Sequence, residues 1–347
     1  LTSIACNGVA PYKQIITHGW TVDGEGKAMH KSLGNAMPPE EVIKDYGADM
    51  LRLWASSADY TQDMRISPEL MKQLSQAYLK IRNTARYMLG NLDGFDPNQT
   101  VAVKDMLDLD KWAVAAFNDL VRDVRAGYDG YEFHTVYRAI YNFCVVDMSS
   151  FYLDIIKDRL YCGDDAGRAS AQSALYRILD GMTRMLAPIL AFTSQEIWTA
   201  MPHKAGDDPE CVLFNDIPDY DPALALSEAE AARWNKLLEV RDVVLKALED
   251  AKGQVKKNQD AEVTLILDGD AFAAWEKGEY LPGFDEADLA TLFIVSKVTV
   301  EQGGAVSAAV KLSEAPKCPR CWNHNASIGT AGHHAELCDR CAKVLGE

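Results

Sequence analysis

No stretch of this chain approaches 18 uninterrupted apolar residues, so its linear pattern contains no membrane span. A positively charged, then apolar leader is missing too, and so is an initiator methionine: the chain opens Leu1-Thr2-Ser3. That opening reads as entry into the middle of a domain, and so as the C-terminal part of a longer protein. There is no excess of positive charge. Lys and Arg number 35 against 51 Asp and Glu, a net charge of −16, which argues against an open, sequence-independent nucleic-acid binder. A local basic face on an acidic body remains compatible with the average. Residues 205–230 are acid-rich, whereas 233–257 are richer in Lys and Arg. A disulfide framework is also lacking. Of eight cysteines, Cys6, Cys144, Cys162 and Cys211 are scattered, and the spacing of the rest is not that of a secreted scaffold. A reducing, cytoplasmic setting follows. Internal repeats and long low-complexity runs are absent.

What is present suffices for two or three domains: 347 residues, 48% of them hydrophobic. Residues 14–23 read as a short strand and a helix begins near Glu40, behind Pro38-Pro39. Ser67-Pro68-Glu69 is a helix opening, N-cap then proline, followed by Leu70, Leu74, Tyr78, Ile81 and Ala85 at helical spacing. This helix stops near Gly90-Asn91. Another starts at Asp110. Residues 133–161 are apolar on more than one face, which predicts the centre of a bundle. A fourth helix spans 173–201, and Pro188 must kink or split it. Four helices with short connections make a bundle, with Trp112, Phe117, Phe143, Tyr152 and Trp198 as core. Residues 207–221 are loop. A helix follows from Ser227 to about Lys252, then strand-like segments at 263–267, 291–300 and 305–312 with a short helix at 271–277. These form a small α/β unit.

The strongest chemical signal lies near the end. Cys318-Pro319-Arg320-Cys321 and Cys338-Asp339-Arg340-Cys341 are two Cys-x-x-Cys pairs. Each pair can form a knuckle that presents two thiolates, and two knuckles give tetrahedral sulfur coordination, which favours one Zn2+ ion. A tail this poor in apolar residues needs such a staple to fold. His324, His333 and His334 lie in the intervening loop, but four cysteines complete the set, so the histidines read as loop or RNA-facing residues. Trp322, beside a ligand, packs the knuckle or stacks on a nucleotide.

A second signal is residues 24–35, Gly-Glu-Gly-Lys-Ala-Met-His-Lys-Ser-Leu-Gly-Asn. Glycines let the backbone approach a ligand, and Lys31 places a point charge on a flexible stem. On these grounds alone the loop suits phosphate but equally suits a solvated turn.

The block from His18 to Trp54 resembles class I aminoacyl-tRNA synthetases of the isoleucine type. There a Lys-Met-Ser-Lys-Ser loop precedes Leu-Gly-Asn and then Tyr-Gly-Ala-Asp-x-Leu-Arg-Leu-Trp, matched here by Leu33-Gly34-Asn35 and residues 46–54. The order of parts along the whole chain agrees, down to the C-terminal Cys-x-Arg-Cys-Trp and Leu-Cys-x-Arg-Cys-Ala. The resemblance implies a mainly α fold. Residues 1–62 would be the end of a Rossmann-type catalytic domain with its Lys-Met-Ser-Lys-Ser-like loop. Residues 63–222 would be the anticodon-binding helical bundle, 223–313 a junction helix and small α/β unit, and 314–347 the zinc finger. It further implies ATP-dependent attachment of isoleucine to its tRNA. Lys31 would be the catalytic, ATP-binding cation, with Met29, His30 and Ser32 in the motif loop. The sequence departs from the motif at Ala28 and His30, where the family has lysine and serine.

Arg82, Arg86, Arg320 and Trp322 are candidate tRNA contacts, although helix-surface arginines are often simply solvated. Implied partners are tRNA, ATP with Mg2+ and isoleucine, with no membrane and a monomeric state. The family's upstream His-Ile-Gly-His motif has no match here, so the chain alone is expected to bind tRNA without catalysing. The alternatives are a standalone tRNA-binding module, a sister synthetase for valine, leucine or methionine, and, from the finger alone, a formamidopyrimidine-type DNA glycosylase.

Overall fold

The structure, a computed structural model, describes residues 1–330, 332 and 334–346, apart from the side chain of Lys31. It begins with helix α1 (Thr2–Asn7) and then runs as irregular chain to β1 (Thr21–Val22), which pairs in parallel with β2 (Met64–Arg65). The strand expected over 14–23 shrinks to these two residues. Gly19 donates to the Tyr60 carbonyl and Trp20 accepts from the Met64 amide, but residues 14–18 make no backbone hydrogen bond to another segment among the described residues, and without one a strand is not stabilised. Gly19 is required where it stands: a Cβ there would meet the Gln62 carbonyl oxygen at 2.2 Å.

Helices α2 (Pro39–Tyr46) and α3 (Ala48–Ser57) replace the single helix expected from Glu40. The break is Gly47, whose φ of 90° and ψ of 160° no helix accommodates. α3 is tied to the bundle by two of the motif's charged residues. Asp49 accepts from the amides of Phe192 (3.2 Å) and Thr193 (2.7 Å) and from the Thr193 hydroxyl (2.6 Å). Arg52 donates to the carbonyls of Pro188 (2.6 Å) and Ile189 (3.0 Å). Helix ends leave such groups without intrahelical partners, and α3 supplies them.

The bundle follows the sequence reading closely. α4 (Pro68–Gly90) is capped by the Ser67 hydroxyl, which accepts from the Leu70 amide at 3.3 Å. α5 (Asp108–Asp129) comes next. A continuous helical run then comprises α6 (Phe133–Asn142), a π-helical segment (Phe143–Tyr152) and α7 (Leu153–Cys162). Within the π segment the hydroxyls of Ser149 and Ser150 donate to carbonyls five residues back, at 2.7 and 2.8 Å. By length and hydropathy the run Phe133–Cys162 is long and apolar enough to cross a membrane, although it lacks the uninterrupted apolar stretch sought in the sequence. Here Val136, Ile140, Phe143, Met148 and Phe151 are buried in the core that the run forms with α4 and α5. α8 (Asp165–Leu186) and α9 (Ala191–Ala200) are the fourth helix, split around Pro188 as expected. Trp112, Phe117, Phe143, Tyr152 and Trp198 are all buried.

α7 is anchored from inside. Arg159 holds the fully buried Asp110 of α5 with two hydrogen bonds of 2.8 and 2.6 Å, and Tyr152 (2.7 Å) and Ser170 (2.5 Å) complete the carboxylate's shell. A buried charge satisfied on every side is rigid, because releasing any one partner leaves an uncompensated group.

Helix α10 (Glu228–Asp250) opens with a reciprocal Ser227–Glu230 capping box and leads from the bundle to the α/β unit. Trp234 joins the two, with its ring 5.8 Å from Trp112 on the bundle side and 5.4 Å from Phe284 on the other. The sheet has β3 (Ala261–Leu267) at its centre, β4 (Lys297–Gln302) parallel to it and β5 (Ser307–Leu312) antiparallel. α11 (Gly269–Glu276) and α12 (Glu286–Phe293) connect β3 to β4. The strand expected from 291 begins only at 297. An Asp285–Asp288 capping box starts α12, which runs through Phe293 and stops at a left-handed Ile294 (φ 59°). A short α13 (Asp339–Val344) closes the chain.

Candidate metal centre and adjoining cleft

Cys318, Cys321, Cys338 and Cys341 converge, with all four sulfurs within 4.8 Å of one another and all four residues buried. The Cys321 and Cys338 sulfurs lie 3.8 Å apart. A tetrahedron with zinc–sulfur bonds of about 2.3 Å has sulfur–sulfur edges of about 3.8 Å, so the arrangement fits a zinc ion. The electrostatics differ among the sulfurs. Burial opposes ionisation of Cys318, but the amides of Cys321, Cys338 and Arg320 outweigh it and bring the thiol down to about 6. Burial pushes the Cys321 and Cys338 thiols up. A cation among the four sulfurs would offset that cost and hold them as thiolates.

The histidines of the loop are not drawn to the cysteines. His324 turns away: its Nδ1 lies 2.6 Å from the Ala315 carbonyl and its Nε2 3.2 Å from Asp260, and its amide donates to the Ser296 hydroxyl at 2.7 Å. It binds the finger to the α/β unit, so of the two readings, loop or RNA-facing, His324 takes the first. His334 lies 3.8 Å from Glu336, and His333 falls outside the described residues.

Beside the metal centre is a cleft of about 750 Å3 between α7, α12 and the finger. Ile155, Ala290 and Ile294 contribute apolar lining, and Lys157, Lys257, Arg320 and Trp322 are also on its wall. Trp322 has φ 65°, a left-handed conformation costly for a bulky residue, and its amide donates to the Cys318 carbonyl at 2.9 Å. The knuckle thus turns the indole outward, 56% exposed, with the Lys257 ammonium 5.6 Å from the ring centre. An exposed aromatic face flanked by cations is suited to an unstacked base and its phosphate.

The remaining candidates lie elsewhere. Arg82 forks onto Glu196 of α9 with two 2.7 Å bonds, so its guanidinium is already occupied. Arg86, one turn on, is exposed and makes no ion pair among the described residues. Arg320 donates to the Cys162 carbonyl at 2.8 Å.

In the 24–35 loop the backbone at Lys31 and Ser32 begins a short 3-10 turn (Lys31–Leu33), while the Lys31 side chain lies outside what is described. Met29 is half-buried against the core; His30 and Ser32 are exposed. Two residues that the sequence reading did not single out for their side chains hold the loop. Asp23 accepts from the amides of Glu25 (3.0 Å) and Lys27 (2.8 Å) and from the Asn35 side chain (2.7 Å). Asn35 in turn accepts from the His30 amide at 2.9 Å and donates to the Ala28 carbonyl at 3.2 Å. The Asp23-Gly24 dipeptide was the available signal, an Asx turn in front of a glycine.

Three protein families match the chain. Residues 1–67 match the class I tRNA synthetases for I, L, M and V, 110–267 the anticodon-binding domain of tRNA ligase, and 316–344 the zinc finger found in FPG and IleRS. Curated relatives named isoleucine–tRNA ligase align along almost the whole chain. The one from Syntrophotalea carbinolica is 45% identical over 99% of it, and that from Caldanaerobacter subterraneus is 43% identical over 100%. The relative from Coxiella burnetii is 44% identical over 98%. The chain spans about 38% of the length of the first two relatives. Among solved structures, a LeuRS of Agrobacterium radiobacter K84, in a ternary complex with tRNA and LeuAMS, superposes with a TM-score of 0.50. At 15% identity, covering 77% of this chain and 28% of that one, it shares the fold. The glycosylase alternative rested on the finger alone, and the other two family matches are to synthetase domains. The names of the relatives do not favour a standalone module or a sister synthetase.

Proposed function

Because the chain belongs to the isoleucine-type class I tRNA synthetases, we propose that it is the tRNA-holding part of an isoleucine–tRNA ligase. The division 1–62, 63–222, 223–313 and 314–347 assigns these jobs in order: the loop that meets ATP, the anticodon-binding bundle, the junction unit and the zinc finger. The observation that carries the tRNA reading is the cleft, where exposed Trp322 sits beside Lys257 and Arg320 at the end of the bundle. Trp322 stacks on a base, and Lys257 neutralises a neighbouring phosphate. Arg86 meets the RNA backbone. Arg82, whose fork is filled by Glu196, is the weaker of that pair. One zinc ion on Cys318, Cys321, Cys338 and Cys341 fixes the finger and takes no part in ligation.

In the complete enzyme the isoleucine carboxylate attacks ATP, with Mg2+, and releases pyrophosphate; the aminoacyl group then passes to tRNA. Lys31 stabilises the negative charge that develops on the phosphates, from a loop shaped by Asp23 and Asn35. The protein works as a monomer in the cytoplasm.

Binding of isoleucine tRNA and of a non-cognate tRNA by this chain, measured across a salt series with and without a zinc chelator, tests the tRNA reading. The expected result is a cognate preference that chelation weakens. Equal, weak, salt-sensitive binding of both overturns it. For the loop, Lys31→Ala in a complete enzyme is expected to slow isoleucine-dependent pyrophosphate exchange far more than it weakens isoleucine binding. An unchanged exchange rate removes Lys31 from the chemistry.

A further inference from the structure

Both knuckles of the finger share the pattern Cys-x-Arg-Cys, and both arginines reach the same helix. Arg340 forks onto Asp158 of α7 with bonds of 2.5 and 2.8 Å. Arg320 donates to the carbonyl of Cys162, the last residue of α7, at 2.8 Å. A helix C-terminus offers carbonyls without intrahelical donors and a partial negative charge, so a guanidinium is well matched to it. The contact is returned: the Cys162 thiol donates to the Arg320 carbonyl at 3.3 Å. Cys162 is buried in one small cluster with the four metal-site cysteines, Leu337 and Ala342. Each arginine is more than 150 positions from its partner in sequence, and they meet only in the fold.

We propose that Arg320 and Arg340 form a paired clamp that seats the metal-loaded finger on the end of α7. The metal joins knuckle to knuckle; the clamp joins both knuckles to the bundle. On the opposite side Lys317 and His324 reach Asp260, so the finger bridges α7 and the α/β unit. The cleft lies between those two attachments, and Trp322 is two residues from Arg320. Seating the finger therefore fixes where the indole stands over the apolar lining. Arg320 and Arg340 act as positioning residues, through Trp322. What the cleft holds rests on the tRNA reading; the clamp itself does not.

Cys162 is the reporter. In the zinc-loaded chain its alkylation, mapped by mass spectrometry, is slow. In the Arg320→Ala, Arg340→Ala double variant, zinc content stays at one per chain and Cys162 alkylation accelerates by about tenfold or more, as expected for local opening of a protected thiol. The reciprocal swap Asp158→Arg with Arg340→Asp returns Cys162 toward its slow rate relative to Arg340→Ala alone. Unchanged Cys162 reactivity in the double variant at full zinc content overturns the clamp. Loss of zinc in both the double variant and the swap overturns it as well, since the arginines would then belong to the finger's own fold. Faster alkylation with unchanged tRNA affinity supports the clamp and tells against tRNA in the cleft.

Discussion

The zinc finger and the 24–35 loop each carry a short motif, and they are held in opposite ways. The finger has almost no apolar core of its own, and Ile328, Leu337 and Ala342 are most of it. It is fixed from outside, by a metal site and by charged contacts to α7 and to Asp260. The loop is fixed from within, by Asp23 and Asn35, and its surroundings contribute little. Trp20 is 79% exposed and Leu33 68% exposed on either side of it. The comparison separates two routes to an ordered motif in a segment that cannot bury itself. One recruits distant partners and a cation; the other closes a local ring of hydrogen bonds. The first couples the motif to the rest of the molecule, and the second leaves it free to move as a unit.

The largest expected effect breaks the finger alone. Cys338→Ser removes one thiolate, and structural zinc in isolated fingers is worth on the order of 10 kcal/mol of folding free energy. Zinc content should fall well below one per chain, and hydrogen exchange should show lost protection across 316–344. The 24–35 loop should keep its protection. Simultaneous loosening of both regions would mean that they are not independent.

A smaller effect is expected from Asn35→Ala. It removes the bonds to the His30 amide, the Ala28 carbonyl and Asp23, all of them near the surface. Each such bond is worth about 1 kcal/mol net, and the loop, not the domain, carries the loss. Hydrogen exchange at the His30 amide should speed up while the thermal midpoint of the chain barely moves. A drop of many degrees would show that the loop is coupled to the core after all.

The same contrast explains what was legible. The four cysteines were readable because coordination depends on side-chain type at fixed spacing, a local property. The bundle was readable because its helices carry their own caps and periodicity, as at Ser67-Pro68. The fate of Arg320, Arg82 and His324 was not, since Cys162, Glu196 and Asp260 are reached only through the tertiary fold. Sequence reasoning sees a free arginine on a surface; the structure decides whether a carboxylate faces it. The strand expected over 14–23 shrank for the same reason, because β2 pairs only with Thr21 and Val22, whereas Gly47 and the Asp285–Asp288 box were local signals passed over.

Zinc loss at the finger apart, acid should act on the carboxyls of both regions by one mechanism and with the smallest amplitude. The Lys317 ammonium beside Asp260, with a further bond from His324, holds that carboxyl below its ordinary 3.8. The Lys27 amide, then the Asn35 side chain, do the same for Asp23. A carboxyl depressed in the folded state stabilises it above the unfolded value, and that contribution disappears as pH falls through the folded value. Both sets of contacts should therefore be complete from neutrality down to about pH 5 and weaken only below about pH 4. The exposed Asp23 should change little beyond the loop. At the finger, acid also protonates the thiolates, so zinc release and loss of the Asp260 contact should coincide there. An Asp260→Asn variant separates them. It should loosen the His324 side at neutral pH while zinc stays bound, and it should leave the exchange of the His30 amide as it was. A variant that disturbed the loop as well would join two regions that this structure holds apart.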